Sequence, residues 1–125
     1  MPAIWSLKAA IEYIQENYEQ NKKTEGRLIE YLVDNLKKLK NVVVYDPDFE
    51  RIDTVGFNVD GYSSNDIVGI LDKYDICTRG GIHCAIVAHE ALGTTETGIV
   101  RVSLSESNTV DEIDRLIEVI KRLGE

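Results

Sequence analysis

Val55-Gly56-Phe57-Asn58-Val59-Asp60-Gly61 places apolar side chains at every second position and stops on a turn pair. This is the period of a strand with one buried face. Just upstream, Asn41 gives way to the β-branched run Val42-Val43-Val44, closed by Tyr45-Asp46-Pro47-Asp48 with the residues of a turn. Two strands this close in sequence are expected to pair as a hairpin. Outward from them the apolar period changes from two to 3.6. Ile4, Leu7, Ile11 and Ile14 recur at helical spacing, and after a polar stretch from Asn17 to Gly26 the pattern resumes with Leu28, Leu32, Leu36 and Leu39. Two helices, or one bent helix, open the chain.

Downstream, Ser63 or Ser64 caps a helix that turns Ile67, Ile70 and Leu71 inward before Asp75 breaks it. Ile76 to Arg79 is expected as a short third strand ended by Gly80-Gly81, and His83 to Leu92 as a short helix closing at Gly93. Thr94 to Gly98 is a loop and Ile99 to Leu104 a fourth strand. Thr109-Val110-Asp111-Glu112 is a capping box, and the last helix buries Ile113, Leu116, Ile117 and Ile120. The order predicts one α+β domain over residues 1–125, with a sheet of about four strands packed against helices.

Acidic residues outnumber Lys and Arg by 22 to 14, and a net charge of −8 opposes nucleic-acid binding. The apolar runs are far shorter than the roughly 20 residues of a membrane span, and Lys8 and Glu12 interrupt any signal-peptide pattern. A cytoplasmic address is the expectation, with no membrane partner. Without a secretory signal, Cys77 and Cys84 are expected to stay reduced.

Asp75 to Ser107 holds both cysteines, both histidines, the paired glycines and two of the arginines. Cys84 follows His83 and lies five residues beyond Arg79, neighbours of the kind that favour a thiolate. It is the better nucleophile candidate, although a cysteine beside a histidine is also commonly a core filler. Cys77, between Ile76 and Thr78 on an expected strand, reads as structural and buried. A zinc site from Cys77, His83, Cys84 and His89 is the weaker reading, because the spacing matches no common ligand pattern. Gly80-Gly81 either makes a turn or admits close backbone approach to a ligand.

The stretch Asp75-Ile76-Cys77-Thr78-Arg79-Gly80-Gly81-Ile82-His83-Cys84-Ala85, with Ala88-His89, Leu92-Gly93-Thr94, Thr97 to Leu104, Asn108-Thr109 and Glu112-Ile113-Asp114, resembles the C-terminal signature of group II cysteine desulfurases. These belong to the class V aminotransferases and include selenocysteine lyases. The R-x-G-x-H-C core is its most specific part. The resemblance extends upstream through Val55 to Val59 and Gly61 to Leu71, and reaches the opening helix from Trp5 to Ile14. It departs at Ile86, where many relatives have proline, and at Ser107, where they have an aromatic residue.

The resemblance implies the small domain of a fold-type I, pyridoxal-phosphate-dependent enzyme. A lysine of the absent large domain would hold the cofactor, and none of Lys8, Lys22, Lys23, Lys37, Lys38, Lys40, Lys73 or Lys121 sits in a matching motif. It further implies Cys84 as the persulfide-forming nucleophile, Arg101 as the substrate-carboxylate ligand, and Arg79 and His83 as substrate-side neighbours. L-cysteine or selenocysteine would be the substrate, and the sulfur would pass to an acceptor protein, iron–sulfur cluster assembly being one destination. The complete enzyme is expected to be a homodimer. This chain is expected to bind neither cofactor nor metal and to be inactive alone. A class V transaminase or other lyase fragment, and a stand-alone sulfur carrier or interaction module, are the alternatives.

Overall fold

Pro2–Leu36 form a single helix, α1, in the computed structural model, which describes residues 2–45, 53–82 and 84–124. The sequence left open two helices or one bent one. Nothing between Asn17 and Gly26 removes a backbone donor, and polar side chains there bond back along the helix. Asn17 Nδ2 donates to the Tyr13 carbonyl at 2.8 Å, and Thr24 Oγ1 to the Gln20 carbonyl at 3.0 Å. A lone interior glycine such as Gly26 costs about 1 kcal/mol, which a long ladder of hydrogen bonds tolerates. The two halves of α1 have different surroundings. Leu28, Ile29, Leu32, Val33 and Leu36 are buried, whereas Ile4, Trp5, Leu7, Ile11 and Ile14 are exposed.

Val42–Tyr45 (β1), Thr54–Val59 (β2) and Val100–Ser103 (β3) form a three-stranded antiparallel sheet in that order. The expected hairpin is present, with Val42 opposite Val59 and Tyr45 opposite Gly56. The turn expected at Asp46-Pro47-Asp48 lies outside the described residues. The remaining helices are Ser64–Asp72 (α2), Ile86–Leu92 (α3) and Val110–Arg122 (α4). Val55, Phe57 and Val59 of β2 and Val100 and Val102 of β3 point into one core with the second half of α1, α2 and α4. Gly56, Asn58 and Arg101 therefore occupy the other face of the sheet, and only partly exposed.

The expected third strand, Ile76 to Arg79, does not form, so the sheet has three strands and not about four. Of Ile76 to Arg79, only Arg79 pairs, in an isolated antiparallel bridge with Arg101. Continuing that register would set Cys77 opposite Ser103, but the two backbones part and both residues line a cleft of about 250 Å³. The last strand is shorter than the expected Ile99 to Leu104. In α4, Val119 is buried beside Ile113, Leu116 and Ile120, while Ile117 is only partly buried.

Both long downstream helices start on reciprocal caps. Ser63 caps α2 and pairs with Asp66; Thr109 caps α4, its N–H donating to Glu112 Oε2 at 2.9 Å. The Ser63 hydroxyl, then its backbone N–H, hold the Asp66 carboxyl below its ordinary pKa. The Thr109 backbone N–H, then the Asn108 side chain, do the same for Glu112. Groups depressed on folding stabilise the fold above their unfolded pKa, and that contribution is lost as pH falls through the folded value. Thr109→Ala is expected to cost about 1 kcal/mol in urea unfolding at neutral pH. Glu112→Gln should flatten the acid limb of the stability–pH curve. An unchanged limb would show that the cap carboxylate contributes nothing.

Candidate functional site

Arg79 and Arg101 exchange both backbone hydrogen bonds, Arg79 N–H to the Arg101 carbonyl at 3.1 Å and Arg101 N–H to the Arg79 carbonyl at 2.7 Å. Antiparallel residues bonded in this way lie directly opposite and send their side chains off the same face. That face is the one away from the core, because Val100 and Val102 on either side of Arg101 are buried. The strand register extends the row: Tyr45 lies opposite Gly56, and Gly56 opposite Arg101. Gly56 keeps the row low, since a Cβ there would come within 2.9 Å of the Ile99 side chain. Two like charges directly opposite are mutually destabilising, and neither guanidinium has a carboxylate partner among the described residues. An anion bridging the two planar forks relieves that repulsion.

Tyr45 and Asn58 form the polar flank. Asn58 Nδ2 donates to the Gly98 carbonyl at 2.8 Å and to Tyr45 Oη at 3.3 Å. Burial raises the Tyr45 pKa, and the Asn58 hydrogen bond opposes the rise.

From the Arg79–Arg101 bridge the chain leaves the sheet as a loop that returns at Ile99. Its base is held tightly: Ile99 N–H donates to the Gly81 carbonyl at 3.2 Å, and Gly81 N–H to Ser64 Oγ at 3.0 Å. The close approach allowed by Gly80 is to protein, since a Cβ there would lie 2.8 Å from the Ser64 carbonyl oxygen. Gly98, at φ +64, meets the same knot from the other side; a Cβ would overlap Ser64 Oγ and lie 2.8 Å from Gly81 Cα.

Cys84 sits near the start of this loop, exposed, in a turn closed by the Ala85 N–H on the Ile82 carbonyl at 3.1 Å. Its φ of +62 is in the left-handed region, shared among non-glycine described residues only with Asp75. That conformation costs a side-chain-bearing residue about 1 kcal/mol or more, and such strain clusters at functional positions. His83, expected next to the nucleophile, lies outside the described residues. The structure thus brings Arg79 and Arg101 together and sets Cys84 on the loop rising from them.

Cys77 overturns one expectation. It is exposed, not buried in a strand, because Ile76 to Thr78 leaves the sheet where the cleft opens. Burial therefore does not distinguish the two thiols. No group of metal-ligating side chains is assembled among the described residues, and no helix of the described residues is long and apolar enough to cross a membrane.

Sequence reading missed Ser64, Asn58 and Gly98, which shape the site without reacting. Asn58 had a signal, a polar residue at an outward strand position; Ser64 and Gly98 act through a contact between distant segments that no local pattern encodes.

The family model described as aminotransferase class-V matches residues 1–116. A cysteine desulfurase of Pectobacterium carotovorum is 32% identical over 121 residues, 96% of this chain and 29% of the relative. A probable cysteine desulfurase of Halobacterium salinarum is 34% identical over 117 residues, 92% of this chain and 28% of the relative. Among solved structures, the apo cysteine desulfurase of Thermococcus onnurineus superposes with a TM-score of 0.85 at 30% identity, covering 92% of this chain and 29% of that one. The Escherichia coli cysteine desulfurase CsdA superposes at 0.82 with 26% identity, covering 93% of this chain and 28% of that one. The chain thus spans under a third of the length of these relatives. With a match reaching from the opening helix into α4, the chain belongs to the class-V aminotransferase family.

Proposed function

We propose that residues 1–125 are the C-terminal small domain of a fold-type I, pyridoxal-phosphate-dependent cysteine desulfurase. The observation that carries this reading is the Arg79–Arg101 pair, without a carboxylate partner among the described residues, at the foot of the loop that bears Cys84 in a left-handed turn. Arg101, with Arg79 beside it, binds the α-carboxylate of L-cysteine or selenocysteine. The Cys84 thiolate takes the substrate sulfur: a new S–S bond forms, the substrate C–S bond breaks, the substrate carbon gains a proton, and alanine and a Cys84 persulfide result. His83 borders the nucleophile in sequence and is assigned to the substrate side.

The residues present do not fit the cofactor. A Schiff-base lysine works from a desolvated pocket, whereas every lysine of this chain, from Lys8 to Lys121, is exposed. The cofactor therefore belongs to the large domain, and the isolated chain is assigned no turnover. The complete enzyme is assigned as a cytoplasmic homodimer that hands its sulfur to an acceptor protein. The exposed Ile4, Trp5 and Leu7 on α1 suit contact with the large domain.

Two measurements test this. Pyridoxal phosphate followed by borohydride should label surface lysines of the isolated chain without saturation; one saturable lysine adduct contradicts the assignment. Joined to a cognate large domain, the chain should convert cysteine to alanine with release of sulfide under reductant. A cofactor-loaded protein that makes neither product overturns the desulfurase reading.

A further inference from the structure

The loop from Gly81 to Gly98 has almost no core of its own. Between Ile82 and Thr97 the only described residues that are buried are His89 and Thr94, each 3% exposed. The apolar side chains of α3 point outward, with Ile86 62%, Val87 78% and Leu92 50% exposed. What the loop buries is therefore a polar pair, His89 Nδ1 hydrogen-bonded to Thr94 Oγ1 at 2.8 Å.

That pair lies between the turn of Cys84 and the glycine knot. On one side His89 N–H donates to the Ala85 carbonyl at 3.1 Å, the residue after Cys84. On the other, the Thr94 carbonyl accepts from Gly98 N–H at 2.9 Å, and Gly98 packs on Gly81 and Ser64. A third bond, Thr94 N–H to the His89 carbonyl at 2.9 Å, closes α3 behind Gly93. Cys84 is tied to the knot on the Gly81 side by the chain itself and on the Gly98 side through His89 and Thr94, and a buried hydrogen bond with little apolar packing to replace it is costly to break.

We infer that His89 and Thr94 are positioning residues that hold the Cys84 turn in register with the Arg79–Arg101 pair. The inference rests on the reading of Cys84 as nucleophile. In this role the His89 side chain acts through its bond to Thr94, which anchors α3, and the backbone of α3 in turn holds the Ala85 carbonyl beside Cys84.

Cys77, exposed on the other side of the Arg79 bridge, is an internal reference. In the unaltered chain under native conditions, iodoacetamide should modify Cys84 about fivefold or more faster than Cys77. In Thr94→Val and in His89→Ala the ratio should fall toward one, because a loosened turn averages Cys84 over ordinary exposed conformations. Thr94→Ser, which keeps the hydroxyl, should retain at least about half of the parent ratio. Val119→Ala, a core truncation far from the loop in sequence, should lower stability and leave the ratio unchanged. Either disrupting variant suffices if the other does not fold. A parent ratio at or below one sinks the nucleophile reading itself. A high parent ratio that survives both disrupting variants, or that Val119→Ala lowers equally, overturns the positioning role alone.

Discussion

Gly98→Ala is expected to lower the unfolding free energy by about 2–5 kcal/mol, the sum of a left-handed backbone cost and overpacking against a rigid neighbour. The backbone at Gly98 has φ +64, and the new methyl would overlap Ser64 Oγ and press on Gly81 Cα at 2.8 Å. A serine hydroxyl can rotate away, but the Gly81 backbone is pinned by Ser64 and Ile99. Gly93 supplies the control. It has a similar φ of +68 with nothing within 4 Å of its would-be Cβ, so Gly93→Ala should cost only about 1–2 kcal/mol, the backbone share. Urea unfolding of the two variants separates the contributions. Equal losses would mean that the knot of Ser64, Gly81 and Gly98 gives way freely and does not fix the base of the Cys84 loop.

In the complete enzyme, Cys84→Ser should reduce sulfur transfer by on the order of 10³ or more, since a hydroxyl cannot take up sulfur as a persulfide. Cofactor binding should be intact, the cofactor being held elsewhere. Arg101→Ala should act differently, raising KM for cysteine by roughly 10- to 100-fold, the worth of one or two charged hydrogen bonds to a carboxylate. Arg101→Lys keeps the charge but loses the fork and should fall between. If Arg101→Ala lowered kcat alone and left KM unchanged, the Arg79–Arg101 pair would not be a ground-state carboxylate site. Steady-state kinetics on cysteine distinguishes these outcomes.

The elements most legible in the sequence were those whose signals are local. The alternation Val55, Phe57, Val59 gave a strand with the expected buried face, and Thr109 with Glu112 gave the start of α4. Ile76 to Arg79 carried strand-like residues too, but a strand exists only where a partner stays alongside, and here the backbones separate after one bridge. That single fact removed the expected third strand and moved Cys77 from an expected core to the surface. The polar stretch after Asn17 suggested a break, yet polar side chains can bond back along their own helix, and without proline the ladder runs on to Leu36.

At the site, residue types were readable and their arrangement was not. Arg79, Cys84 and Arg101 were picked out by chemistry and resemblance, whereas their relation comes from a pairing across 22 positions that no window contains. His89 was visible as a weak zinc-ligand candidate and as part of the motif, Thr94 only as part of the motif. Their importance comes from being the buried pair of an otherwise exposed loop, which is a property of the fold.

On the proposed reading, Cys84 is the group that receives the sulfur. The most direct test is to give L-cysteine to the complete, cofactor-loaded enzyme, quench with an alkylating reagent that preserves persulfides, and map the modified peptides. The extra sulfur is expected on Cys84, dependent on substrate and absent from Cys77. Extra sulfur on Cys77, or alanine formed with no persulfide on either thiol, would contradict it.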